Sequence, residues 1–262
     1  MAVRNKDHFH LRHTGMPLNR SQQKGGILSR RDVALPPRYA TYWREPFADA
    51  LQPQLAEGAR ILDIGSGRTP SISPDRRPPR CEYVGLDVSA SELDAAGPTA
   101  YDHTIAVDIA REVPELRGRF DLAVSWQVLE HVEHLDRAAE SVRRYLRDGG
   151  IFVSMLSGSF AVYAIVNRTL PDRLGHVLVS RVMGRTAETT PVFPAHYDRC
   201  YATGLRRVFG AFSNVRVTPF YRAASYFAFS PRLMRAYLAY ENFVCRHNVE
   251  NLATHYLIVA RR

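Results

Sequence analysis

Asp63 closes the apolar run Ile61-Leu62-Asp63-Ile64, and Gly65-Ser66-Gly67 follow at once. This order of residue types can hold a small polar ligand. Glycine carries no Cβ, so the backbone can turn sharply at Gly65 and Gly67 and approach a ligand closely. The N–H groups of such a turn face whatever is bound, and an acid two residues ahead of it suits a ligand with positive charge. Twenty-four residues after Asp63, Asp87 ends a second apolar run, Tyr83-Val84-Gly85-Leu86-Asp87. A carboxylate at the end of the second strand of a doubly wound sheet accepts from ribose hydroxyls. The phosphate-cradling pattern Gly-x-Gly-x-x-Gly is not met, because Pro70 stands where the third glycine belongs. Two further groupings can do chemistry. Asp108 follows a third apolar run in Ala106-Val107-Asp108-Ile109, and Ser125-Trp126-Gln127 leads into Leu129-Glu130-His131 after a fourth. An imidazole ionises near neutrality and can take a proton from a hydroxyl. His196-Tyr197-Asp198-Arg199 packs four polar functions together; it reads either as acceptor contacts through His196 or Arg199, or as a hydrogen-bonded hinge.

Those residues must be carried to one place. Strand-like runs at 60–64, 82–86, 104–107, 121–125 and 151–156 alternate with helical stretches, which predicts right-handed βαβ units and a parallel sheet. Further strands are expected at 214–219 and 255–260. Four prolines between Pro70 and Pro79 make the segment after the first strand a loop. Residues 134–147 read as an amphipathic helix stopped by Gly149-Gly150. Apolar residues at near-helical spacing from Tyr39 to Leu55 predict a helix over 38–56 lying on the ligand pocket, with Tyr39 and Tyr42 placed to touch a substrate. Phe160–Val166 and Leu174–Met183 read as two apolar helices, and Pro231–His247 as an aromatic, basic one.

The region 58–157 resembles the class I S-adenosylmethionine-dependent methyltransferases, on the strength of the Asp63–Gly67 turn, Asp87 and the Leu129-Glu130-His131 stretch. Thr69 departs from that family, which usually has a third glycine there. The resemblance implies a Rossmann-like seven-stranded α/β sheet, mostly parallel with an antiparallel last strand, and helical cap insertions. It also implies S-adenosylmethionine as cofactor, S-adenosylhomocysteine as product, and no metal. In those terms Asp63, Gly65, Ser66 and Gly67 hold the methionine portion and Asp87 the ribose. Val88 flanks the adenine, while Asp108 and the Ile109 backbone meet its amino group. Ser125 and Gln127 border the sulfonium, His131 or His196 is the catalytic base, and Tyr39, Tyr42, Tyr197 and Arg199 contact the acceptor. Four segments follow: 1–57, an N-terminus with a lid helix; 58–157, the cofactor core; 158–200, an acceptor-side cap; and 201–262, completing the sheet.

Charge bears on the acceptor. Residues 1–45 carry nine basic and three acidic side chains, residues 58–157 twelve and sixteen, and residues 158–262 fourteen and five. An acidic cofactor region flanked by basic segments favours an anionic or amphiphilic small-molecule acceptor, or a membrane face. With thirty-three arginines against two lysines, composition bias accounts for part of this. The aromatic helix near the C-terminus is a candidate dimer or membrane contact. Nucleic acid is a poorer fit, because the fourth-strand region lacks the Asn/Asp-Pro-Pro-Tyr type of motif used on bases. The polar, His-rich Met1–Thr14 has no apolar core of a signal peptide, and Cys81, Cys200 and Cys245 have no metal-like spacing. The expected location is therefore the cytoplasm, with peripheral membrane contact as the variant. The expected reaction is O-methylation of a glycan, glycolipid or secondary-metabolite hydroxyl. The alternatives are a nucleic-acid methyltransferase and a non-catalytic S-adenosylmethionine-binding protein.

Overall fold

The structure is a computed structural model that describes residues 33–161, 164–165 and 195–262. Seven strands form one sheet: β1 (Arg60–Ile64), β2 (Glu82–Asp87), β3 (His103–Ala106), β4 (Phe120–Trp126), β5 (Leu146–Ser157), β6 (Asn214–Phe220) and β7 (His255–Arg261). Their order is β3-β2-β1-β4-β5-β7-β6. The first five pair in parallel, while β7 runs antiparallel between β5 and β6. The chain winds outward from β1 to β3 and then returns to β4 beside β1, so the order reverses between β1 and β4. In open α/β sheets ligands bind at such a switch, outside the carboxyl ends of the strands. Register aligns those ends: Ile64 stands opposite both Leu86 and Ser125, and Asp87 opposite Ala106.

Strands buried on both faces explain the near-continuous apolar runs of the sequence. Leu62, Ile64, Val84, Leu86, Ala123, Phe152 and Ile258 bury one face, together with α3 (Leu135–Tyr145) and α4 (Ala202–Val208). Ile61, Tyr83, Leu122, Val124, Val153, Met155 and Leu257 bury the other, against Phe47 and Leu51 of α1 (Glu45–Leu51). The short α2 (Ala90–Asp94) is capped by the Ser89 hydroxyl, which accepts from the Glu92 N–H. Ser230 caps α5 (Pro231–Arg246) in the same way, with a proline in its first turn, where the missing N–H costs nothing.

Two expectations are corrected. The single helix over 38–56 is broken into a 3₁₀ turn at Pro37–Tyr39, then α1, then a 3₁₀ turn at Gln52–Gln54. Pro46 and Pro53 are each tolerated only in a first turn, so each restarts the helix rather than continuing it. Gly149-Gly150, expected to stop the helix over 134–147, instead lies inside β5. The helix ends at Tyr145, Leu146 already pairs with Phe120, and the register shifts between Phe120 and Leu122. Of the proposed cap at 158–200, residues 162–163 and 166–194 lie outside the described residues, and with them part of the first apolar helix and all of the second. No helix among the described residues is long and apolar enough to cross a membrane.

Candidate active site

The glycine turn leaves β1 with Gly65 at φ +67° and Gly67 at φ +48°. The Gly65 N–H donates to the Leu86 carbonyl at 2.7 Å, latching the turn onto β2. A Cβ on Gly65 would lie 2.3 Å from Val128 Cγ1, so both the dihedral and the space demand glycine. The Gly67 N–H donates to Asp87 Oδ2 at 2.9 Å, and the Ser89 N–H to Asp87 Oδ1 at 2.9 Å. A carboxylate offers about four lone-pair sites, so Asp87 keeps acceptor capacity on both oxygens. It is 8% exposed, whereas its neighbour Val88 is 66% exposed, an apolar platform at the strand end. Asp108 is exposed two residues past β3 and accepts from the Ala110 N–H at 2.9 Å, while the buried Ile109 side chain anchors that turn in the core. Ser66 is buried beneath the turn.

Asp63 is placed differently from the expectation. It is fully enclosed and accepts from the Ser71 N–H (2.6 Å), the Ser71 hydroxyl (2.6 Å) and the Tyr83 hydroxyl (2.7 Å). Burial pushes its carboxyl up to about 6 against the pull of those donors. Asp63 therefore fastens the proline-rich loop behind the turn and presents no open face to a ligand.

At the end of β4, Gln127 adopts φ +57° and its N–H donates to the Met155 carbonyl at 2.7 Å. Its Oε1 accepts from the Ser157 hydroxyl at 2.9 Å, while its buried Nε2 has no hydrogen-bond partner among the described residues. Such an orphan calls for an explanation, and a polar ligand at the strand end supplies one. The Ser125 hydroxyl is likewise buried and unpartnered. His131 is half-buried at the end of the 3₁₀ turn Leu129–His131. Beside it Glu130 is buried; its carboxylate accepts from the Ser157 N–H at 3.2 Å, and burial raises its proton affinity. The Glu130 carbonyl accepts both the His196 and the Tyr197 N–H, each at 2.9 Å, so the fold brings His196 alongside His131. His196 is exposed.

The four expected acceptor contacts divide otherwise. Arg199 lays its guanidinium on Asp198 (2.9 and 2.8 Å) and reaches Asp136 at 3.1 Å, while Asp198 also accepts from the Leu135 N–H at the start of α3. These bonds favour the hinge reading of this segment. Tyr197 is 6% exposed, and its carbonyl accepts from the Ser159 hydroxyl. The Tyr39 hydroxyl donates to Glu241 Oε2 at 2.6 Å and accepts from the Ala224 N–H at 2.8 Å, which ties it to α5. Tyr42 is 71% exposed and remains open to a ligand.

Sequence reasoning passed over Glu241, which is 1% exposed on α5 and also takes Arg38 Nη2 (2.8 Å) and the Ala223 N–H (2.7 Å). A lone acid on the apolar stripe Tyr237, Leu238, Val244 was the available signal. It also passed over an aromatic cluster at the carboxyl edge. Trp43 meets Trp126 at 4.9 Å and His255 at 4.8 Å, and the Arg44 guanidinium lies 4.7 Å from the Trp126 ring. Among the described residues no group of three or more His, Cys, Asp or Glu side chains is arranged to hold a metal ion.

The strand order, the glycine turn at the switch point and the acid at the end of β2 define a Rossmann-like methyltransferase sheet. Residues 38–195 match the family described as a methyltransferase domain, and the chain belongs to that family. Relatives include a ubiquinone biosynthesis O-methyltransferase of Chelativorans sp. (strain BNC1), 31% identical over 118 residues, or 44% of this chain and 43% of that protein. Another is a malonyl-[acyl-carrier protein] O-methyltransferase of Enterobacter lignolyticus (strain SCF1), 36% identical over 107 residues, or 40% of this chain and 42% of that protein. The matches thus span a little over two fifths of these relatives. Among solved structures, geranyl diphosphate C-methyltransferase from Streptomyces coelicolor A3(2) superposes with a TM-score of 0.52 at 14% identity, covering 86% of this chain and 82% of that one. Phosphoethanolamine N-methyltransferase 2 from Haemonchus contortus gives 0.51 at 14% identity, covering 84% and 52%. At such identity the likeness speaks to the fold.

Proposed function

We propose that this chain is an S-adenosylmethionine-dependent methyltransferase acting on an oxygen of a small-molecule acceptor, such as a hydroxyl of a glycan, glycolipid or secondary metabolite. The observation that carries the reading is Asp87. Two backbone N–H groups fix it, one of them from the glycine turn, and it retains acceptor capacity next to the bared Val88. That arrangement suits a ribose with an adenine beside it. In this reading the Gly65–Gly67 turn lies along the methionine portion, Asp108 and the Ile109 backbone edge the adenine, and the Gln127 amide fills its missing bond. Bound S-adenosylmethionine supplies a methyl group on a positively charged sulfur, open to in-line displacement by a nucleophile. The chain's own contribution is mainly alignment of the acceptor and exclusion of water. His131, at the end of β4, takes the proton from the acceptor hydroxyl, and its backbone turn is held by the Glu130–His196 bonds. That the two curated relatives named above are O-methyltransferases supports oxygen as the target atom. The free thiols of Cys81, Cys200 and Cys245 suit a cytoplasmic protein.

Calorimetry with S-adenosylmethionine, S-adenosylhomocysteine and NAD tests the cofactor assignment. Micromolar binding of the first two and none of the third is expected, and NAD binding alone would sink the reading. Methyl transfer from labelled S-adenosylmethionine to hydroxylated acceptors tests the target atom; label found only on nitrogen or carbon would remove the oxygen assignment.

A further inference from the structure

Arg222 is half-buried and has no counter-ion among the described residues. It follows β6, and its backbone N–H donates to Thr254 Oγ1 at 3.0 Å. Arg38, Arg68, Arg143, Arg144, Arg199 and Arg206 each reach a carboxylate. Arg222 makes no ion pair and no side-chain hydrogen bond with a described residue, and its guanidinium carbon lies 6.0 Å from the Phe220 ring. The field of Glu45 favours its charge, and Arg38 opposes it. Burial outweighs these and makes the proton easier to lose than for a free arginine. A charge taken partly out of water without a partner is costly, and an anionic ligand would supply that partner.

Its surroundings say which ligand. His255 opens β7 opposite both Ser157 and Phe220, at the carboxyl end of β5. It is fully enclosed, and burial together with the Arg222 charge pushes it down to about 3, so it stays neutral beside the arginine. Trp43 packs edge-on against His255 and Trp126, and Arg44 stands over the Trp126 ring while donating to the Ser71 carbonyl. The result is an apolar aromatic wall with one cation, Arg44, occupied by a neutral acceptor and another, Arg222, unpaired among the described residues. It lies one strand from Gln127 and Ser157, where the methyl group would be delivered.

Building on the methyltransferase reading, we propose that Arg222 binds an oxyanion of the acceptor, a carboxylate or a phosphate, while the acceptor's apolar body lies against Trp43 and Trp126. The acceptor is thus an anionic amphiphile. The alternative of a neutral glycan hydroxyl with no charged appendage does not use this site.

The chain has two tryptophans, both in this wall, so tryptophan emission excited beyond the tyrosine absorption band reports the site. The purified full chain is titrated with phenyl phosphate, benzoate and phenol, without cofactor. Saturable quenching by phenyl phosphate or benzoate at a concentration at least tenfold below phenol is expected, and the better of the two names the oxyanion. In Arg222→Ala that preference falls to the level of phenol, while Arg222→Lys keeps part of it. Equal titration by all three probes, or a preference that survives Arg222→Ala, overturns the proposal. Calorimetry with S-adenosylmethionine on the same samples separates the two readings. Normal cofactor binding with no anion preference defeats this proposal alone, whereas anion preference without cofactor binding defeats the methyltransferase reading alone.

Discussion

Replacing Glu241 by alanine should cost more than any surface change on this chain. Its carboxylate is 1% exposed and accepts from Arg38, Tyr39 and the Ala223 backbone, drawing together segments 203 residues apart. Burial and the Glu241 acceptor both hold the Tyr39 phenol in its protonated, donating form. Alanine leaves a buried N–H, a half-buried O–H and a guanidinium 22% exposed without their acceptor. An orphaned buried donor costs about 1–3 kcal/mol, and breaking one side of a buried ion pair about 3–5 kcal/mol. These costs overlap, so about 3–5 kcal/mol is expected in total. For a domain of this size each kcal/mol lowers Tm by about 2–4 °C, giving a fall of roughly 6–20 °C. Glu241→Gln keeps an acceptor for the Ala223 N–H and should lose less than half as much. Thermal unfolding followed by circular dichroism is the assay, with Tyr39→Phe completing a double-mutant cycle. A fall of under about 2 °C for Glu241→Ala, or strict additivity with Tyr39→Phe, would refute the clamp.

Three further outcomes are expected. Asp87→Ala should weaken S-adenosylmethionine binding about a hundredfold, or about 2.7 kcal/mol, in calorimetry; unchanged affinity would remove the ribose assignment. His131→Ala should lower kcat about 10²–10⁴-fold with cofactor Kd unchanged, and less than a tenfold loss would leave it without the base role. Asp63 sits at about 6 when folded and near 3.9 when unfolded. The folded state therefore holds a proton the unfolded state has released between these values. Its contribution is full below about pH 4 and is lost as pH rises through about 6, at most about 3 kcal/mol. Urea unfolding of Asp63→Asn across that window should show a flatter pH profile than the parent, and parallel profiles would contradict the burial argument.

The sheet was legible in the sequence because its central strands are apolar runs bounded by turn residues, and the acids near the ends of β1 and β2 stand at countable intervals. Legibility failed where the deciding partner is distant. Nothing near Asp63 shows that Ser71 and Tyr83 will occupy it, and only the folded chain sets Arg38 on Glu241. Trp43 reads as one more apolar residue of a helix until Trp126 and His255 arrive beside it. Gly149-Gly150 looks like a helix stop by local rules, but pairing of Leu146 with Phe120 claims the residues before it for the sheet. In each case a tertiary contact overrode a local preference.

The place of β7 bears on how the chain is made. It lies between β5 and β6, yet follows both in sequence. β6 pairs with β7 and with no other strand among those described. On the ribosome, therefore, β5 presents an open parallel-sheet edge of Ile151, Phe152 and Val153 for as long as it takes to synthesise some hundred further residues, and β6 emerges with no strand to join. An exposed apolar edge of that kind invites pairing with other chains. Aggregation during synthesis should thus be governed by how quickly His255–Arg261 arrives, and a nascent chain stopped before it leaves the β5 edge open and β6 outside the sheet.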